Sequence, residues 1–181
     1  ALFVISRLQL PALHSEGVIG AARPLLTIIR QPVYITALIS STVGFAVMSM
    51  VLTATPLAML MCGQTTGDAA TVIQWHVLGM FVPSFFTGAL IRRFGVLSVM
   101  GCGILLLAGH VAIALTGLDF LHFLSGLILL GIGWNFLFVG GTTLLTEAYL
   151  PAERAKAQAV HDFMMLAVVS AASFAAGGIL N

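Results

Sequence analysis

Apolar residues run along this chain in five long stretches, at about 33–61, 72–91, 96–115, 120–145 and 157–180, parted by short polar breaks. A hydrocarbon core of about 30 Å takes about 20 helical residues at 1.5 Å each, so every stretch is predicted to be a membrane-crossing helix. The fold class that follows is all-α, a polytopic bundle of membrane helices over residues 32–181. Pro32 stands in the first turn of the first span, Pro56 is expected to break or kink its outer part, and Pro83 lies inside the second. The connections, 62–71, 92–95, 116–119 and 146–156, are short enough to make consecutive spans antiparallel neighbours. Residues 1–5 read as the end of a truncated helix. Residues 6–31 read as a linker, a loop with one short surface helix, broken by Pro11, Gly17, Gly20 and Pro24.

Composition identifies the solvent. The chain is 60% hydrophobic and 7% charged, with a mean hydropathy of +1.11. Soluble domains carry about 25% charged residues, so the partner of most of this surface is a lipid bilayer. A net charge of +1 with no basic patch or motif around it excludes a nucleic-acid partner. Cys62 and Cys102 fall at different depths and read as small packing residues. Histidine and cysteine spacings make no metal site, no P-loop is present, and no cofactor is expected.

The distribution of charge gives the orientation. Arg7, Arg23 and Arg30 precede the first span, Arg92 and Arg93 follow the second, and Arg154 and Lys156 follow the fourth. With antiparallel spans those three segments share one face, while the opposite loops hold Asp68 and Asp119 and no Lys or Arg. The positive-inside rule makes the basic face cytoplasmic, in a multi-pass inner-membrane protein.

Small residues forecast how the helices meet. Gly126, Gly133 and Gly140 recur every seven residues along the fourth span, and Ala167, Ala171 and Ala175 repeat the device in the fifth. Such stripes let neighbouring backbones approach closely. Asn135 points about 200° away from the Gly133 stripe and should face a partner helix or a water-filled cavity. Phe138 and Thr142 follow it at i+3 and i+7, so Trp134, Asn135, Phe138 and Thr142 are candidates for a substrate wall. The alternative is an interhelical hydrogen bond that fastens the bundle. In the first span Thr42, Phe45, Ser49 and Thr53 share a face and form a second candidate wall, against the alternative that such hydroxyls bond their own backbone.

Two stretches carry a family resemblance. Gly88-Ala89-Leu90-Ile91-Arg92-Arg93-Phe94-Gly95 resembles the Gly-x-Leu-x-Asp-Arg-x-Gly loop of the major facilitator superfamily, with Arg92 at the acidic position. The run from Glu147 through Pro151 and Glu153 to Arg154 resembles the family's connection between the fourth and fifth helices of a half. The resemblance implies the C-terminal half of a major facilitator fold, family helices seven to eleven, preceded by the central cytoplasmic linker. It implies a substrate path between two six-helix halves, so the N-terminal half is a required partner. Gly88, Arg92, Arg93, Gly95, Glu147, Arg154 and Asp162 would then form a cytoplasmic gate. Asp162 is expected either to cap its helix or to latch onto Arg154, Lys156 or Arg93.

These features favour a secondary transporter, not an enzyme, moving a small organic solute or drug by alternating access. No carboxylate lies at mid-membrane, so proton coupling would need a histidine or a residue of the other half. The alternatives are a non-transporting membrane subunit or ABC-type permease, and a membrane-embedded enzyme. The last would need a convergent catalytic set, which the sequence does not supply.

Overall fold

A computed structural model describes residues 23–179, and side chains within that range except Ala172 and residues 175–179. Arg7, residues 1–5 and most of the linker fall outside what is described, as does the side chain of Ala175. In chain order the elements are α1 (Leu25–Ile29), α2 (Pro32–Met61), α3 (Thr66–Phe81), α4 (Ser84–Phe94), α5 (Val96–Ala114) and α6 (Phe120–Thr146). A 3-10 turn (Pro151–Glu153) leads into α7 (Arg154–Ile179). Among the described residues there is no strand.

Three helices, α2, α5 and α6, are each long and apolar enough to cross a membrane, and α3 and α4 are long and apolar enough together, with a 41° bend at their break. The bend has a local cause. Pro83 cannot donate the backbone hydrogen bond that would continue α3, and the helix resumes at Ser84. The second expected span is therefore longer than 72–91, starting at Thr66, and it is broken where the sequence placed only a proline. Its start is fixed by a capping box: the Asp68 amide donates to Thr65 Oγ1 at 3.1 Å, and Thr65 N–H donates to Asp68 Oδ2 at 2.9 Å. Pro56, by contrast, does not end its helix, which continues to Met61. α7 starts at Arg154, ahead of the expected 157, and its 26 residues extend about 39 Å.

α6 is the hub of the bundle. Of its apolar stretch 56% is buried, against 17% for α2 and 28% for α5. It packs on α5, α2 and α3, while α7 packs on α2. Glycines set these contacts. A Cβ at Gly133 would lie 3.0 Å from the Gly103 carbonyl oxygen of α5, and one at Gly103 the same distance from the Gly133 oxygen. The stripe read from the sequence thus meets α5. Gly131 does the same toward α3, where a Cβ would come within 2.6 Å of the His76 carbonyl oxygen.

The core has two lobes. One joins Tyr34, Ala37, Met100, Leu137, Leu144 and Ala157, and the other joins Met59, Ala69, Val72, Leu127 and Leu130, with Leu107 packed against both. Outside lies an apolar surface. Phe85, Leu105, Phe163 and Phe174 are each more than 70% exposed, which suits contact with lipid chains and not with water. The first lobe holds the helix ends that carry Arg30, Arg92, Arg93, Arg154 and Lys156, while Asp68 and Asp119 flank the second. The described cations therefore share one end of the bundle.

Candidate functional site

The first candidate wall is assembled in part. Trp134 and Phe138, one turn apart on α6, stack at 4.9 Å between ring centroids with 9° between planes. Phe45 of α2 stands edge-on to both, at 5.2 and 5.3 Å. Edge-to-face and offset stacking suit the ring quadrupoles. Two polar atoms near this trio lack partners: the Trp134 indole N–H is buried without an acceptor, and so is the hydroxyl of Thr42, one turn before Phe45. An unpaired buried polar group costs about 1–3 kcal/mol.

The other candidates go elsewhere. Asn135 does not join the trio. Its side chain faces the break between α3 and α4, where Nδ2 donates to the Met80 carbonyl at 2.7 Å and to Ser84 Oγ at 2.6 Å. Its Oδ1 accepts from Thr87 Oγ1 at 2.7 Å. Met80 lies at the proline break, and the amide serves a carbonyl exposed there. This places Asn135 in the fastening role, with its three contacts already made. Ser49 Oγ lies 2.8 Å from Ser173 Oγ on α7. Thr53 and Thr142 donate to carbonyls one turn back in their own helices, Ser49 and Phe138. Four of the eight wall candidates thus stay together: Thr42, Phe45, Trp134 and Phe138.

A cavity of about 240 Å³ opens apart from the trio, between α2, α5 and α6, lined by Thr55, His110, His122 and Leu127 among others. Of its histidines, His110 Nδ1 donates to the Gly126 carbonyl, while His122 Nδ1 is buried without a hydrogen-bond partner among the described residues. Nearby, outside the lining, His76 Nδ1 donates to the Leu127 carbonyl. No group of three His, Cys, Asp or Glu side chains among the described residues could hold a metal ion.

At the basic end the main ion pair joins residues outside the expected gate. Glu153, fully buried in the 3-10 turn, accepts from Arg23 Nη2 at 2.7 Å and Nε at 2.9 Å, from the Arg23 amide at 2.8 Å, and from the Leu150 amide at 2.9 Å. The Arg23 side-chain hydrogen bonds, then the amides, hold its carboxyl down at about 2, and the same pairing raises the Arg23 guanidinium above its usual value. Asp162 makes neither of the contacts proposed for it. Among the described residues it meets no Arg or Lys; its Oδ1 lies 3.0 Å from His161 Nδ1. The sequence reading missed Arg23, Glu153, Ser41 and His161 as interacting residues. The position of Glu153, two residues after Pro151 at the head of a helix, was the available signal.

The comparisons with known proteins bear on the whole chain. No family model matches it, and no solved structure does. The protein named riboflavin transporter RfnT of Brucella anthropi is 45% identical over 183 positions, covering 100% of this chain and 46% of that protein. Two proteins of Bacillus subtilis, named uncharacterized MFS-type transporters YdeG and YddS, are 37% and 36% identical over 137 residues. Each covers 75% of this chain, which spans 31% and 30% of their lengths. The chain belongs to the major facilitator superfamily. It spans about half the length of RfnT.

The two stretches that resemble major facilitator loops have clear places in the fold. Gly88–Gly95 forms the last turns of α4 and its link to α5. Gly95 sits at φ +84°, a left-handed conformation that glycine adopts without strain and that ends one helix while starting the next. Arg92 and Arg93 complete the last turn of α4, where cations complement the helix dipole, and Arg93 lies 5.3 Å over the Phe94 ring. Glu147 caps α6 and is exposed, and Arg154 bonds Gln158 at 3.4 Å. A Cβ at Gly88 would meet the Arg92 guanidinium at 3.9 Å, an ordinary contact.

Proposed function

We propose that this chain supplies the C-terminal half, helices seven to eleven, of a major facilitator secondary transporter that moves a small, flat, neutral organic solute by alternating access. The solute we favour is riboflavin, or a ring system like it. The observation that carries the reading is the Phe45–Trp134–Phe138 trio, with its unpaired indole N–H, in a chain 45% identical to a protein named riboflavin transporter. A tricyclic isoalloxazine offers a flat face for stacking and ring carbonyls for the Trp134 donor, while ribityl hydroxyls suit Thr42. No Arg or Lys lies mid-helix in α2, α5 or α6, which favours a neutral solute over an anion.

The N-terminal half would complete the path, and the basic end would face the cytoplasm of an inner-membrane protein. Rocking of one half against the other needs a stiff half-bundle, and the backbone contacts of α6 with α5 and α3 support that stiffness. The test is riboflavin counterflow in liposomes holding the full-length parent, with uptake by a riboflavin auxotroph expressing it. Saturable exchange of labelled riboflavin supports the reading. Absence of flux for riboflavin and a broad panel of neutral aromatic solutes overturns it.

A further inference from the structure

His161 sits where α7 crosses α2, buried to 1% exposure. Its Nε2 is 2.7 Å from Ser41 Oγ, and its Nδ1 is 3.0 Å from Asp162 Oδ1. Ser41 Oγ also lies 2.9 Å from the Ala37 carbonyl and 3.3 Å from that of Leu38, both pure acceptors. The three side chains form a chain from the buried α2 face to Asp162, whose side chain is 64% exposed.

Ser41 has one hydroxyl proton, so its direction fixes the state of the ring. When that proton goes to the Ala37 carbonyl, Ser41 can only accept, and Nε2 must carry a hydrogen. Nδ1 must also carry one to donate to an ionised Asp162. The ring is then an imidazolium, with both nitrogens satisfied and its charge facing a carboxylate. Removing the Nε2 proton requires one adjustment: the Ser41 hydroxyl turns and donates to the bare Nε2. Nδ1–H still donates to Asp162, and the Ala37 carbonyl keeps its place in the helix ladder. Both states leave no side-chain nitrogen unpaired, unlike a buried histidine held by a carbonyl on one side alone. His76 is that other case, with Nε2 buried and partnerless.

We propose that His161 is a reversible proton-binding site at the α2–α7 contact, with Ser41 as its rotating partner and Asp162 as the carboxylate that holds the charge. This inference rests on the transport reading for its use: a proton bound here couples to solute movement. The coupling route is short. Phe45 of the aromatic trio stands one turn beyond Ser41 on α2, about 6 Å along the axis.

Among the titratable groups on the elements packed against α7, Tyr34 of α2 lies within electrostatic reach of Asp162. On α2, the Tyr34 hydroxyl donates to the Ala157 carbonyl at 3.0 Å. α1 has no titratable side chain, with Arg30 at its C-cap, and Glu153 of the 3-10 turn is paired with Arg23. On α7 itself Arg154 and Lys156 precede the site, and among the described residues neither forms an ion pair with Asp162.

The test measures riboflavin flux by the full-length parent in liposomes between about pH 5.5 and 8, the range of histidine titration. Wild type is expected to change flux about tenfold across that range. H161Q flattens the profile to within about twofold, and D162N, which removes the facing charge, displaces the transition. Asp162 is exposed, so D162N tests the site even where H161Q fails to fold. A second readout needs no transport: nitrogen NMR of histidine-labelled full-length protein in detergent. One ring is expected to pass from doubly to singly protonated over the same range, to vanish in H161Q and to shift in S41A. An H161Q profile that superimposes on wild type, or a His161 ring with one neutral form throughout, overturns the proposal. Absence of riboflavin flux in wild type overturns the solute reading, and the NMR titration then decides the proton site by itself.

Discussion

The Arg23 guanidinium grips both oxygens of the Glu153 carboxylate across 130 residues of sequence, tying the segment before α2 to the link between α6 and α7. Arg23 Nη2 also reaches the Ala148 carbonyl at 3.2 Å, and Gln31 Nε2 donates to the same oxygen at 2.9 Å. Four side-chain bonds thus anchor the chain just ahead of the first long helix.

Glu153 gives the anchor a defined pH dependence. Its carboxyl is held at about 2, against an ordinary 4.5, so the folded state favours the ionised form. A lowered folded value contributes stability that is complete above about 4.5 and is lost as pH falls toward about 2. Protection of the Leu150 amide, taken as exchange slowed relative to the intrinsic rate at each pH, should therefore stay high from neutral pH down to about 4.5 and fall below it. E153Q should exchange quickly at every pH. Equal protection in E153Q and wild type would show that the carboxylate does not hold this turn.

Asn135 fastens α6 to the broken α3–α4 pair. N135A leaves the Met80 carbonyl, Ser84 and Thr87 without the amide, at a cost of about 1–3 kcal/mol. Thermal unfolding of the full-length protein in detergent should show a lower midpoint. If flux fell while the midpoint stayed put, the residue would belong to the solute path.

Close helix contact should make glycine replacements position-dependent. A Cβ at Gly131 would press within 2.6 Å of a backbone oxygen, whereas one at Gly101 meets nothing within 4 Å. G131A is expected to cost about 1–3 kcal/mol or to abolish accumulation of folded protein, with G101A close to wild type. Matched stability of the two variants would contradict the packing of α3 on α6.

The Trp134 indole offers a cleaner probe of solute contact than truncation. W134F keeps a ring for stacking on Phe138 and removes only the N–H. Losing one hydrogen bond to solute predicts a KM for riboflavin raised about tenfold, with kcat changed less. W134A, which also removes the stacking face, should cost more. A W134F transporter with wild-type KM would place the solute elsewhere.

The sequence alone determined the quantities that depend on composition against solvent. Apolar runs of membrane length, short polar breaks and cations grouped in alternate links fix helices, their alternation and a shared basic end, because each segment answers to lipid or water independently of the others. The Gly126–Gly133–Gly140 stripe likewise announced a close contact, since a missing Cβ is a local fact. Which neighbour each face would meet was not legible. These helices are apolar on nearly every side, so no polar stripe marks inward from outward. Asn135 was therefore grouped with Phe138 by helical spacing, while its amide goes instead to the Met80 carbonyl at the Pro83 break. The trio needed α2 beside α6, the His161 chain needed α7 across α2, and the Arg23–Glu153 grip needed the start of the described chain brought to the link between α6 and α7. Those pairings are set by packing between distant segments, and only the tertiary structure decided them.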